Sequence, residues 1–366
     1  MMEPKIQAAA ATNEVTYSQS GGLARRLAQL DISIAFSSYQ SGFLYTLGRK
    51  ADAGLHLHRC AVPKPMGLCF DPQQGLTLAA AHEILRMPNI LDPGQKVERL
   101  FDACYVPRTS HFTGTLDAHD VGLGADGQPI FVNTQFNCLA TVDARHSFKA
   151  LWCPPFITAL VAEDRCHLNG LAMRGNQPAY VSAVSRSDTI DGWRDRRADG
   201  GVIIDVAKNH IICSGLSMPH SPRLHRGQLW VLNSGTGELG VVEDAATGAG
   251  RFVPKVFCPG FLRGLAFHGN YAIVGLSKPR HQRFEGLALE ARLAAADSAP
   301  WCGLQIIDLT SFTCVDWFRM DGAISELYDV AVLPGIACPM TLGAGSPERL
   351  TLLTFKPDLP HSPHSK

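Results

Sequence analysis

The chain has 366 residues, with 33 Lys or Arg balanced by 33 Asp or Glu, so no net field exists to collect nucleic acid or an anionic membrane. Every apolar run is interrupted by Gly, Pro or a charge before the roughly 18 residues that cross a bilayer, and the opening residues lack the apolar stretch of a secretory leader. A soluble, cytoplasmic protein is therefore expected, its partner a small molecule and its oligomeric state open.

Residues 1–30 begin polar and small and are expected to be a mobile segment. Strand-like runs follow at 32–36, 43–47 and 55–60. From there one short segment recurs: Pro65-Met66-Gly67-Leu68-Cys69-Phe70, His119-Asp120-Val121-Gly122-Leu123, Leu168-Asn169-Gly170-Leu171-Ala172, His220-Ser221-Pro222-Arg223-Leu224, Leu262-Arg263-Gly264-Leu265-Ala266 and Tyr328-Asp329-Val330-Ala331-Val332. The first five copies each lead into a second β-rich run, at 76–78, 129–133, 179–182, 228–232 and 271–274, as successive strands of a hairpin do. Third and fourth strands are readable in most units.

Six four-stranded units at intervals of about 40 to 65 residues match radial repetition, an all-β six-bladed β-propeller over residues 31–356. The last unit is split: its inner strand lies near the C-terminus and its other three near the N-terminus. That arrangement joins the chain ends around the ring and leaves no long unpaired edge. Residues 284–294 have apolar residues at helical spacing and form an inserted helix, over the ring or on the surface. Residues 357–366, rich in Pro, His and Ser, are expected to be a disordered tail. The eleven cysteines are odd in number and scattered through apolar runs, which points to buried thiols in a reducing compartment.

Three stretches, Glu326-Leu327-Tyr328-Asp329-Val330-Ala331, Met218-Pro219-His220-Ser221-Pro222-Arg223 and Gly260-Phe261-Leu262-Arg263-Gly264-Leu265, resemble an uncharacterised bacterial β-propeller family over roughly residues 25–345. That resemblance implies a propeller and brings no reaction. The Asn-Gly-Leu-Ala inner strand is also loosely similar to gluconolactonase-like propellers, which implies a divalent metal in the channel.

In a propeller the innermost strand of each blade faces the central channel, so the residues opening the six copies should meet at one mouth. These are Met66, His119 with Asp120, His167 with Asn169, His220, Arg263, and Tyr328 with Asp329. The strand-connecting loops add Asn133 and Asn233. His119, His167, His220 and Asp120 make a donor set for zinc, iron or copper, with calcium the weaker candidate; equally, they can bond to channel water and backbone. Arg263 suits a grip on a carboxylate or phosphate, or an ion pair with Asp120 or Asp329. Arg263, Tyr328 and Asp329 are the candidate catalytic groups, and Asn169, Asn133 and Asn233 the candidate substrate contacts. The function expected is an enzyme acting on a small polar or anionic substrate at the channel mouth, assisted by a His-ligated divalent metal; the alternative is a non-catalytic ligand-binding or protein-interaction propeller. The run Arg194-Asp195-Arg196-Arg197 reads as solvated surface.

Overall fold

The computed structural model describes residues 14–52, 54–280 and 284–356; the expected tail at 357–366 and the first 13 residues of the expected mobile segment lie outside them. Six four-stranded antiparallel sheets form the blades of a six-bladed β-propeller. Numbered by their inner strands, blade one starts with Leu68–Asp71, two with Ala118–Leu123, three with Leu168–Arg174, four with Pro219–His225, five with Phe261–His268 and six with Val330–Pro334. In blade six, Val330–Pro334 pairs with Ile32–Ser38 in the register Ala35 opposite Ala331, so the two ends of the chain close the ring as the sequence predicts.

The middle strands are near-continuous apolar runs because both of their faces are covered by neighbouring blades. All of Ile32–Ser38, Gly75–Ala79 and Gly201–Asp205 is buried. Between blades five and six, for example, Ile34 and Phe36 pack with Ile273, Ile306 and Phe318.

Within the segment expected to be mobile, Thr16–Gln19 add a fifth strand to blade five by pairing with Thr313–Asp321. Helix α1, Leu23–Leu30, then buries Leu23 and Leu27 against the same cluster. Arg26 reaches Asp316 at 3.0 Å. A second addition is the parallel pair of Ala103–Tyr105 with Pro339–Thr341, which ties the long connection inside blade one to the segment after blade six. The inserted helix, α2, is Leu289–Ala295.

The inner strands alternate around the axis in a way the six-copy reading does not separate. Blades one, three and five open Met66-Gly67-Leu68, Asn169-Gly170-Leu171 and Arg263-Gly264-Leu265, while two, four and six open His119-Asp120, His220-Ser221 and Tyr328-Asp329. Each polar residue of the second type accepts a backbone N–H from the next blade: Asp120 from Leu171 at 2.8 Å, Ser221 from Gly264 at 3.1 Å, and Asp329 from Leu68 at 2.8 Å. The glycines have a steric reason. A Cβ on Gly67 would lie 2.6 Å from the Cα of Asp120, and one on Gly264 would lie 2.8 Å from the Cα of Asp329. Gly264 also adopts a φ of +80°, which side chains disfavour.

Candidate functional site

Five of the six blades bring their opening side chains together at one mouth of the channel, while Met66 of blade one is buried and bonds through its backbone to Ser37 and Ala79. His119 and His167 meet edge to face with ring centroids 4.8 Å apart, and His119 meets Tyr328 at 5.6 Å. The guanidinium of Arg263 lies 5.1 Å from the Tyr328 ring. Asn169 donates through Nδ2 to Nε2 of His220 at 3.1 Å.

The hydrogen-bond partners fix the imidazole tautomers. Nδ1 of His119 lies 2.7 Å from the Asp117 carbonyl oxygen, which can only accept, so that nitrogen carries the hydrogen. Thr134 Oγ1 is 2.8 Å from the same nitrogen and donates its own hydrogen to the Leu168 carbonyl. The arrangement repeats at His220, with the Met218 carbonyl at 2.8 Å and Ser234, which donates to Leu262. In His167 the partner of Nδ1 is the Asp164 carboxylate at 2.6 Å. In His119 and His220, Nε2 is therefore left as the acceptor. Burial pushes the pKa of His119 down to about 4, with His167 and Arg263 adding to it and Asp117 opposing. His220 is held well below the usual histidine range, first by burial and then by Arg263. Both are neutral near pH 7.

One residue further along the strands is the channel waist. Arg223 places Nη1 2.7 Å from Asp120, Nη2 3.2 Å from the other oxygen of Asp120, and Nη2 3.4 Å from Asp329. Burial holds Asp329 above the usual carboxylate range, with Asp120 adding to it and Arg223 opposing. Asp120 and Asp329 thus bond to Arg223 and to backbone, a level apart from the histidines.

This division bears on the expected metal. Among the described residues no group of three or more His, Cys, Asp or Glu is arranged to hold a metal ion. Asp120, the carboxylate of the expected donor set, is turned instead to Arg223 and to the Leu171 and Val121 N–H groups. Asp120 is thus not placed with the three histidines of the expected donor set. Two expected substrate contacts also have structural partners. The Oδ1 atoms of Asn133 and Asn233 accept from the N–H groups of Phe136 and Ser217.

Arg263 pairs with neither expected aspartate. Its Nη1 lies 3.3 Å from Glu326, which Arg280 also holds at 3.0 Å. Burial lowers the Arg263 pKa, Arg280 adds to this, and Glu326 opposes it. Above the ring Arg263 lines a cavity of about 270 Å³ together with Trp193, Met218, Phe261 and Phe284. The remaining charged lining is mainly cationic, with Arg194, Arg197, Lys278 and Arg280 against Glu285 and Glu326.

Several of these residues escape sequence reasoning. Trp193 stacks on His167 with centroids 4.1 Å apart, and Arg194 and Arg197 follow it at the cavity rim, where the run is exposed to solvent as its sequence suggests. The signal available was one tryptophan beside an arginine-rich run. Phe284 comes from the insertion, whose Leu289 and Leu293 pack with Trp193, Met218 and Phe261. The insertion therefore lies against the channel mouth.

A family model described as "Domain of unknown function (DUF4915)" matches residues 21–342. No curated protein matches. Among solved structures, a chain of a nidogen/laminin complex is 12% identical with a TM-score of 0.53, covering 83% of this chain and 99% of that one. Virginiamycin B lyase from Staphylococcus aureus is 11% identical with a TM-score of 0.41, covering 84% of this chain and 99% of that one. Regucalcin from Agrobacterium tumefaciens is 15% identical with a TM-score of 0.44, over 72% and 74%. The first of these likenesses supports the fold and carries no activity.

Proposed function

The chain belongs to the DUF4915 family, for which the matching description gives no function, and from the channel mouth we propose an enzyme that acts on a small organic anion held by Arg263. The observation that carries this is Arg263 itself. It is a guanidinium only 6% exposed whose Nε has no hydrogen-bond partner, although Nη1 pairs with Glu326. A buried N–H left without a partner costs about 1–3 kcal/mol; an anion bound beside it would remove that penalty. Arg263 also joins the cavity to the ring of histidines, because its guanidinium overlies Tyr328, and Tyr328 touches His119.

The chemistry of the reading follows from the protonation states. His119 offers Nε2 as a proton acceptor, and Tyr328 carries a buried hydroxyl without a partner, its pKa held well above the usual tyrosine value by burial. A tyrosine in that state donates a hydrogen bond rather than acting as an anion.

One observation favours the second reading, a binding propeller without catalysis. With a pKa of about 4, His119 is a weak base at neutral pH, whereas efficient general bases titrate near the working pH. The two readings separate on the fate of a bound ligand. Incubated with enzyme, a substrate changes its NMR spectrum over hours; the ligand of a binding protein does not.

The test of the site is a thermal-shift screen with small carboxylates and phosphates on wild type, Arg263→Met and Lys149→Ala. Lys149 is exposed on an outer strand of blade two. Wild type and Lys149→Ala should be stabilised by the same anions, and Arg263→Met by none. Equal stabilisation of all three proteins would remove Arg263 from the site.

A further inference from the structure

We infer that the ligand of the channel-mouth cavity is a hydrophobic monocarboxylate: one carboxylate at the deep end beside Arg263, carried on a compact apolar body between Trp193, Met218, Phe261 and Phe284. This rests on the anion reading above and narrows it to a chemical class.

The charge is placed by depth. Of the five cations lining the cavity, Arg263 has a side chain 7% exposed, whereas Lys278, Arg280 and Arg194 are 28%, 53% and 60% exposed. Three of the four rim cations also have carboxylate partners, Lys278 with Asp321, Arg280 with Glu326 and Arg194 with Asp191, while Arg197 donates through Nε to the Arg194 carbonyl. Arg263 and Arg280 together bring two positive charges to the single buried carboxylate of Glu326, and the excess of one matches one negative charge on the ligand. A dianion would carry a further charge out of water with no cation left at that depth to meet it, which is costly.

The kind of anion follows from the donors. Arg263 Nε–H and Trp193 Nε1–H belong to residues lining the same cavity, both residues are more than nine-tenths buried, and neither N–H has a partner. Two orphaned donors and no orphaned acceptor among these lining residues call for a group that only accepts, and an ionised carboxylate has two oxygens that do so.

The body follows from the walls. Trp193, Met218, Phe261 and Phe284 are each between 7% and 9% exposed and belong to one apolar cluster. A volume of about 270 Å³ lies below the roughly 300–1,000 Å³ usual for drug-sized ligands, so the body is about the size of one ring.

The experiment is calorimetric titration of the full-length protein with four probes: phenylacetate, acetate, phenylacetamide and phenyl phosphate. Phenylacetate should bind at least tenfold more tightly than each of the others. Trp193→Phe, which keeps an aromatic wall and removes the N–H, should weaken phenylacetate severalfold while leaving the protein folded by circular dichroism. If acetate and phenylacetate bind equally, the apolar body is refuted and the anion reading stands. Tighter binding of phenyl phosphate refutes the carboxylate and again leaves the anion reading standing. If phenylacetamide binds as well as phenylacetate, or no anion binds at all, both inferences fall together.

Discussion

His119 is neutral because its ring is buried, which outweighs the opposing pull of Asp117, both through its charge and through the bond that its carbonyl accepts from Nδ1–H. Its pKa falls from the unfolded value near 6.5 to about 4. Between those values the unfolded chain binds the proton that the folded chain refuses, so the contribution to stability is complete above pH 6.5 and lost as pH falls toward 4. At about 1.4 kcal/mol per pKa unit the loss is roughly 3 kcal/mol. We predict that His119→Gln flattens this limb: urea midpoints at pH 7.5 and 4.5 should differ less in the variant than in wild type. An unchanged difference would show that His119 titrates normally. At this scale His119, His167, His220, Arg263 and Tyr328 were legible, since each opens a repeat or lies within three residues of a position that does. Glu326, two residues before Tyr328, lay within the same reach and was passed over, whereas Trp193 and Arg280 were not legible, because they reach the mouth from loops whose course no repeat dictates.

Helix α1 and the strand before it were read as a mobile segment, and the reason lies in their composition. Leu23 and Leu27 are the two buried residues of an eight-residue helix whose only other apolar side chains are the partly buried Leu30 and two alanines, too short a stripe to stand out. Its stability comes from packing, not propensity. Leu27 is fully buried among Ile32, Ile34, Phe318 and Met320. Leu27→Ala should therefore cost about 2–5 kcal/mol, the range for a buried leucine, measured by urea unfolding; a loss under about 0.5 kcal/mol would mean the helix adds nothing to the propeller. In the inserted segment at 284–294 the spacing pointed to a helix throughout, whereas the helix begins only at Leu289 and residues 284–288 form turns before it. Which of its two expected places it took was set by the apolar contact of Phe284, Leu289 and Leu293 with Trp193 and Phe261.

Across the whole ring, blades two, four and six present Asp120, Ser221 and Asp329 at equivalent places, and Arg223, two residues after Ser221, lies between the two carboxylates. Removing it leaves two buried carboxylates without a counter-charge. Arg223→Met should cost about 3–5 kcal/mol at neutral pH. The sign with pH is opposite to that for His119. Burial already raises Asp329, and losing Arg223 raises it further, so the folded state holds a proton that the unfolded state releases above about pH 4. Stability of the variant then falls as pH rises. Urea midpoints of Arg223→Met should approach wild type at pH 5 and fall away at pH 8; a deficit independent of pH would assign Arg223 a packing role alone.

What the sequence determined by itself was the periodic part: six inner strands, the hairpins after them and the closure of the ring by its two ends. Local patterning of small, aliphatic and turn residues suffices for these, because each blade repeats the same burial problem. Tertiary structure alone decided the pairing of Arg263 with Glu326, the withdrawal of Asp120 and Asp329 to the channel waist, and the cavity walled by Trp193 and Phe284. Those contacts join residues tens to hundreds of positions apart through loops of no fixed period, and their energies depend on depth and neighbouring charge, which a linear pattern does not carry.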